Sequence, residues 1–412
     1  MKEWKKVKIK DICNTNVDQY SQKENWENVL YLDTGSLTNN VISSLQNITI
    51  GKDGLPSRAR RKVKHLDILY STVRPNQRHF GIIVNPSDNM LVSTGFCVIQ
   101  CIEGKADPYF IYYYLSQNKI VNYLHAIGEQ SVSAYPSIKP SNIEDIELKV
   151  PDFKEQVRIG KLLSSLDNKI ALNKRINDNL EQQAQALYKS WFVDFEPFKG
   201  GKFVDSELGK IPEGWRVGRL SEVGKIVGGS TPSKKHPEYY TDNGISWLTP
   251  KDLSINRRKF TSRGEIDITD IGYKSCSTQM LPKGTILFSS RAPIGYISIA
   301  QNEICTNQGF KSVVPNKEIG SAFIFYYLKT NTFEIESKAS GSTFKEASGS
   351  LMNSLSVIIP TLETMQKFNE IVNPIFSQQA KNEGENEKLS EIRDSLLPKL
   401  MSGELKTGDL HR

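Results

Sequence analysis

Long apolar runs are missing from this 412-residue chain. No stretch approaches the roughly 18 apolar residues that a membrane helix needs, so no membrane span is expected. The N-terminus, Met1-Lys2-Glu3-Trp4-Lys5-Lys6, is polar and lacks the apolar segment of a secretory signal, so a cytoplasmic protein is expected. Cysteine is sparse. Cys13, Cys97, Cys101, Cys276 and Cys305 show no metal-ligand spacing, and Cys97 and Cys101 read as a small apolar pair on one face of a strand. The five histidines are scattered without the i, i+4 spacing of a zinc helix, so no metal site is expected. Catalytic signatures are missing too. Residues 224–230 lack the lysine of a phosphate-binding loop, and Asn85-Pro86-Ser87-Asp88 lacks the second proline and the aromatic residue of an adenine methylase motif. Pro151-Asp152-Phe153-Lys154 opens a helix with no partner carboxylate placed for a nuclease. No acid, base or nucleophile constellation stands out, so the chain is not expected to be an enzyme in its own right. An excess of one charge is also modest. Lys plus Arg number 53 against 46 Asp plus Glu, giving +7, a balance compatible with nucleic acid without demanding it.

What is present is a repeat. Trp4-Lys5-Lys6-Val7-Lys8-Ile9-Lys10-Asp11-Ile12 returns as Trp215-Arg216-Val217-Gly218-Arg219-Leu220-Ser221-Glu222-Val223. Asp67-Ile68-Leu69-Tyr70-Ser71-Thr72 returns as Thr285-Ile286-Leu287-Phe288-Ser289-Ser290, and Phe110-Ile111-Tyr112-Tyr113-Tyr114-Leu115 as Phe323-Ile324-Phe325-Tyr326-Tyr327-Leu328. The offsets are 211, 218 and 213, drifting as loop insertions would make them. A period this long excludes a solenoid and implies a duplicated domain, expected about a pseudo-twofold axis.

The fold class expected is mixed α/β (α+β): two pseudo-twofold-related globular domains joined by two long antiparallel coiled-coil helices. Residues 1–150 form the first domain and 151–196 the first long helix. Residues 197–359 form a linker and the second domain, 360–402 the second helix, and 403–412 a tail. In the first helix, Asp152 is a candidate cap with Glu155 reaching back to it. An apolar seam follows through Leu163, Leu166, Ile170, Asn173, Asn177, Leu180, Ala184 and Leu187. The second seam reads Phe368, Ile371, Ile375, Gln378, Asn382, Glu385, Leu389, Ile392 and Leu396. Pro374 is expected to kink this helix, and Pro398 and Gly403 to end it. Asn173 and Asn177 would face residues 378–385 in an antiparallel pair, where buried Asn trades stability for register. The alternative is two independent amphipathic helices. About 40 helical residues span about 60 Å.

Residues suited to nucleic acid gather in loops. Arg58, Arg60, Arg61 and Lys62 form the densest cationic run, which also reads as a solvated edge. Arg74, Asn76, Gln77 and Arg78 mix guanidinium with the amides that can read adenine bidentately. In the second domain the candidates are Ser230, Thr231, Ser233 and Lys234 in a glycine-rich loop, then Lys251, Arg257, Arg258, Arg291, Asn307, Thr343 and Lys345. Asn307-Gln308-Gly309-Phe310 stands where the first domain has Ser93-Thr94-Gly95-Phe96.

Over essentially its whole length the chain resembles the specificity subunits of type I restriction-modification systems. Pro56-Ser57-Arg58-Ala59-Arg60, Ser71-Thr72-Val73-Arg74-Pro75 and Val92-Ser93-Thr94-Gly95-Phe96 resemble one class of target-recognition domain. Gly229-Ser230-Thr231-Pro232-Ser233, Trp247-Leu248-Thr249-Pro250-Lys251-Asp252-Leu253 and Gly341-Ser342-Thr343-Phe344-Lys345 resemble another. Lys189-Ser190-Trp191-Phe192-Val193-Asp194-Phe195-Glu196-Pro197 and Leu396-Leu397-Pro398-Lys399-Leu400-Met401-Ser402-Gly403-Glu404-Leu405 resemble the family's helix-end motifs, while Met365-Gln366 departs from the usual Glu-Gln. The resemblance implies that each recognition domain reads half of a bipartite site in double-stranded DNA. It implies helices that set the gap and bind methylase subunits, two of them expected, and restriction/translocase subunits reached through the complex. S-adenosylmethionine, ATP and Mg are then expected on those partners, with no cofactor on this chain. A stand-alone DNA-binding or architectural protein, or a coiled-coil scaffold without DNA binding, remain the competing readings.

Overall fold

The computed structural model describes residues 4–131, 135–341 and 345–411. The chain divides into two compact units, one of Met1–Ile170 with Glu387–Arg412 and one of Ala171–Asn386. Both boundaries fall inside long helices, Phe153–Phe192 and Leu362–Ser402, so each unit contains one part of each helix.

In the first unit, Lys5–Lys8 pairs antiparallel with Glu147–Val150. A four-stranded antiparallel sheet follows in the order Cys13–Thr15, Phe96–Cys101, Ile68–Ser71, Phe80–Ile82. Its central strands are apolar at successive positions because both faces are covered. Ile68, Tyr70, Cys97 and Ile99 point to a core shared with the helix Pro108–Ser116. Their alternates Leu69, Phe96 and Val98 point the other way, to Leu32, Leu37 and Val92. Those residues lead into a second sheet, Gln46–Thr49, Asn28–Leu32, Met90–Ser93, Ala59–Lys62, in which Met90–Ser93 runs parallel to Asn28–Leu32. The helix starts where the Asp107 carboxylate accepts the Phe110 N–H at 2.9 Å, with Pro108 in its first turn. Its residues Phe110 to Leu115 are all buried, so it is apolar all round rather than amphipathic.

The second unit repeats the element order. Arg216–Arg219 pairs with Ser356–Ile359, and a sheet runs Gly224–Gly228, Lys311–Pro315, Ile286–Ser290, Ile294–Ala300, Phe260–Thr261. The corresponding apolar helix is Ser321–Thr330, buried from Ala322 to Leu328, and the parallel pair is Trp247–Leu248 with Cys305–Thr306.

Within each unit the two helix segments run antiparallel. In the second unit Asn173 Nδ2 donates to Glu385 Oε2 (2.8 Å) and Asn386 Oδ1 (3.0 Å), while Asn382 Nδ2 donates to Asn177 Oδ1 (2.8 Å) and Asn177 Nδ2 to the Gln379 carbonyl (3.0 Å). In the first unit Arg393 Nη1 donates to Asp167 Oδ1 at 2.6 Å. Ile170 is buried, and Leu166, Leu180, Leu187, Ile375, Leu389 and Leu396 are half-buried. Leu163 is fully buried in the globular core, not merely along a helix seam.

Several details of the second helix need correction. Ile371 and Ile392 lie in solvent, 48% and 46% exposed. The buried stripe runs one residue further on, through Phe368, Val372, Phe376, Gln379 and Asn382, because the globular core takes up Val372 and Phe376. Over two turns a count of threes and fours drifts between neighbouring stripes, and only tertiary packing selects one. The helix runs to Ser402, with Pro398 inside its last turns. It is followed by Gly403 at φ 78°, the left-handed residue that closes helices. Asp152 caps the first helix by accepting the Glu155 N–H at 3.0 Å, but the Glu155 side chain does not reach back. Its carboxylate accepts the Thr407 N–H and hydroxyl at 3.1 and 2.9 Å.

The second unit also buries a charge cluster. Lys259, with a side chain only 9% exposed, donates to Glu181 Oε2 (2.6 Å), Gln379 Oε1 (2.9 Å) and the Tyr326 hydroxyl (3.1 Å), and its ammonium lies 3.6 Å from the centre of the Phe376 ring. Lys329 donates to Glu181 Oε1 at 2.7 Å. Burial alone would raise the Glu181 carboxyl, but Lys259 and Lys329 outweigh it and hold it down at about 2. A folded-state value below the ordinary 4.5 contributes stability that is complete above the ordinary value and disappears as pH falls through about 2. Glu181→Gln therefore leaves Lys259 buried without its anion, at an expected loss of about 3–5 kcal/mol near neutrality. Urea unfolding between pH 5 and pH 2 should show the wild type losing stability that the variant has already lost. Parallel acid limbs would refute this role for Glu181.

Candidate nucleic-acid interface

In each unit, loops at the ends of the two sheets converge on a glycine. In the first unit that residue is Gly95. Its carbonyl accepts the Thr72 N–H (2.8 Å) and hydroxyl (2.9 Å), while the neighbouring Thr94 N–H donates to the Arg58 carbonyl at 2.9 Å. A Cβ on Gly95 would come within 2.8 Å of Thr34 Cγ2, so the segment 34–36 packs directly on it. The chain beyond Thr72 is tied to a fourth segment, since Ile138 N–H donates to the Thr72 carbonyl and Arg74 N–H to the Pro136 carbonyl, both at 2.8 Å. Residues 34–36, 58, 72–78 and 135–138 thus form one surface.

The predicted residues on this surface are not equivalent. Arg58 and Arg60 are exposed on either side of the buried Ala59. The Arg74 guanidinium lies 4.3 Å from the centre of the Tyr135 ring, with the backbone in the left-handed region at φ 47°. Asn76 and Gln77 are exposed at the turn Pro75–Gln77, the Gln77 amide meeting His79 Nε2 at 3.1 Å. Arg78, by contrast, is committed to the fold. Its guanidinium donates to the Ser116 carbonyl at the end of a helix and to Asn118 Oδ1. Lys62 pairs with Glu24 and sits 5.1 Å from the centre of the Trp26 ring. Arg61 is half-buried with Nη1 sealed from solvent and unpartnered among the described residues, and burial pushes its pKa down. The cationic run 58–62 is therefore two exposed arginines followed by two side chains that are not free to reach outward.

In the second unit the centre is residues 306–309. Gly229 crosses them so closely that a Cβ would lie 2.2 Å from both the Thr306 and Asn307 carbonyl oxygens. Ser230 N–H donates to the Thr306 carbonyl (3.0 Å), its own carbonyl accepts Trp247 Nε1–H (3.0 Å), and the Thr231 hydroxyl donates to Gln308 Oε1. Asn307 N–H donates to the Leu248 carbonyl (2.9 Å), its Oδ1 accepts the Gly309 N–H (2.8 Å), the Gly309 carbonyl accepts the Ser290 N–H (2.8 Å), and a Cβ on Gly309 would lie 2.8 Å from Pro250 Cγ. Ser233, Lys234 and Arg257 are exposed. Lys251 pairs with Glu265 at 2.8 Å, and Arg291 with Glu346 at 3.4 Å, an acid it shares with Lys311. Arg258 is partly buried, and Lys345 donates to the Glu336 carbonyl at 3.5 Å. Thr343 lies outside the described residues, as do Ser342, Phe344 and residues 132–134. Residues 94–95 and 307–309 stand at matching places, beyond strands that pair in parallel with Asn28–Leu32 and Trp247–Leu248.

Composition found the cationic loops but missed their neutral neighbours. Trp247 and Gln308 stand inside motifs the sequence displays, but Thr34, which packs on Gly95, shapes its surface through a contact that no local pattern encodes. A hairpin of Leu37–Thr38 with Val41–Ile42 was also missed, although consecutive Asn39 and Asn40 between β-prone runs are a hairpin turn signal. The described residues contain no cluster that could hold a metal ion and no helix long and apolar enough to cross a membrane.

This duplicated architecture has counterparts. The family described as the type I restriction modification DNA specificity domain matches residues 1–182 and again 212–391. The chain is 30% identical to the type I restriction enzyme HindI specificity subunit of Haemophilus influenzae, over 98% of this chain and 100% of that protein. It is 39% identical to the MjaIX specificity subunit of Methanocaldococcus jannaschii over 46% of this chain and 44% of that one. The crystal structure of the type I restriction-modification system S subunit from M. genitalium shares the fold, with a TM-score of 0.60 at 17% identity over 97% and 96% of the two chains. The chain belongs to the type I restriction-modification DNA specificity family.

The close crossing at Gly229 can be tested directly. Gly229→Ala drives a methyl into two backbone carbonyls and should cost about 1–3 kcal/mol in urea unfolding of the full chain. Gly228→Ala, whose Cβ meets nothing nearer than 4.0 Å, should lose much less. Equal losses would contradict the close approach.

Proposed function

We propose that this chain is the DNA sequence-specificity subunit of a type I restriction-modification enzyme. Each unit reads one half of a bipartite site in double-stranded DNA, and the long helices set the unread gap and bind methylase subunits, two per chain. Methyl transfer with S-adenosylmethionine, and ATP- and Mg-dependent translocation and cleavage, belong to the methylase and restriction subunits. This chain contributes recognition without catalysis, in the cytoplasm.

The observation that carries this reading is one scaffold used twice with different loops. Both units place a loop beyond a parallel strand pair against a glycine-centred turn, yet one surface offers Arg58, Arg74, Asn76 and Gln77 and the other Ser233, Lys234, Arg257 and Asn307. Side chains of these types read base edges and neutralise phosphates, and different sets imply different half-sites. The names of the relatives agree with this role.

The test is a genome-wide map of N6-methyladenine in a methylation-free host that expresses the chain with its cognate methylase. A two-part motif with a fixed gap is expected. A contiguous motif would overturn the two-unit reading, and a soluble complex that neither methylates nor binds DNA at low salt would favour a coiled-coil scaffold. Arg74→Ala and Asn76→Ala should relax the first half-site alone, by about 1–3 kcal/mol for each good bidentate contact. Equal loss at both half-sites would move those residues from base reading to phosphate contact or folding. One extra turn in the first helix should change the gap and leave both half-sites intact.

A further inference from the structure

The hairpin of residues 37–42 carries apolar surface that folding does not use. Asn39 and Asn40, at φ 47° and 64°, make the two-residue turn whose twist matches a hairpin. Leu37 faces the core, but Val41, paired with Thr38 on the opposite face, is 59% exposed. This ribbon is stitched to the reading loop. Asn39 N–H donates to the Arg78 carbonyl and Asn40 N–H to the Phe80 carbonyl, both at 2.9 Å, and Asn40 Oδ1 accepts the Ile82 N–H at 2.8 Å. His79 joins the Leu37 carbonyl at 2.7 Å to the Gln77 amide at 3.1 Å. An exposed valine is thus held on a ribbon bonded to Arg78, His79 and Phe80, the residues that follow Asn76 and Gln77, and fixed at both its turn and its base.

We propose that this hairpin is a further specificity-determining element for the first half-site, entering the major groove with Val41 against a thymine methyl. A two-stranded ribbon fits the major groove, and that methyl is the apolar group on its base edges. The exposed cations Arg58 and Arg60 on the same unit suit the flanking phosphates. The inference rests on the function proposed above and extends it to residues outside the cationic loops.

The experiment measures binding of the chain–methylase complex to duplexes in which each thymine of the first half-site is replaced in turn by uracil. For the wild type, one position should lose about fourfold in affinity, the effect of one buried methyl. Val41→Ser should bind the thymine and uracil duplexes alike at that position, while Val41→Thr, which keeps a methyl, should retain a difference. Uracil duplexes in the second half-site, with each variant, show that the complex is intact. A wild-type complex indifferent to uracil throughout the first half-site overturns the inference, as does a uracil penalty undiminished in Val41→Ser. Either result leaves a two-part methylation motif untouched, whereas absence of that motif overturns the underlying function.

Discussion

Each unit is built around a buried tyrosine hydroxyl whose partner is a carboxylate of the first long helix. The apolar helix of each unit, Pro108–Ser116 and Ser321–Thr330, carries one, Tyr113 and Tyr326, at the same place in the repeat. Tyr113 donates to Asp167 Oδ2 at 2.5 Å and Tyr326 to Glu181 Oε2 at 3.0 Å. Both acids belong to the first long helix. A hydroxyl taken out of water needs its hydrogen bond, and the carboxylate that supplies it needs a cation in turn. The fold of the globular part and the seating of the helix segments within each unit are therefore one problem, solved by the same few atoms.

The two units meet the second requirement differently. In the first, the cation is Arg393 from the second long helix, so tyrosine, acid and arginine join globular part to helix and helix to helix. In the second, Lys259 comes from the globular part and reaches Gln379 of the second helix as well as Glu181. A chain with matching cations would have near-equivalent alternative pairings for its helix segments. The polar contacts of Asn173, Asn177 and Asn382 make the discrimination sharper, because a shift of one helical turn would leave several amides buried and unpaired.

Most of the scaffold is legible in the sequence because it is built from signals that are local or repeated. The recurrence at offsets of 211 to 218 exposes the duplication, and the apolar runs at Ile68 and Phe96 announce strands covered on both faces. The long helices are visible as sustained apolar periodicity, free of Gly and Pro from Lys161 to Phe195 and carried past Pro374 and Gly384 in the second. Which stripe of the second helix is buried is not visible, since Ile371 and Val372 are equally apolar and the choice rests with the globular core. The site shows the same division. A run of Arg and Lys is easy to see, but only the fold reveals that Arg78 holds a helix end, that Lys62 is paired with Glu24, and that Arg58 and Arg60 are exposed.

This division has a physical basis that bears on recognition. Strands and helices are constrained along their whole length by packing, so a duplicated copy keeps its pattern. A loop between them is constrained only where it touches, as at Gly95 and Gly229. Between such points its length and side chains are free to change without loss of the core, and the drift of the offset through 218 lies where loops intervene. A surface built from loops pinned at a glycine can therefore be recast chemically while its position on the unit is held. Two copies of one scaffold then present unlike surfaces at like places, the property needed to read two different sequences with one architecture.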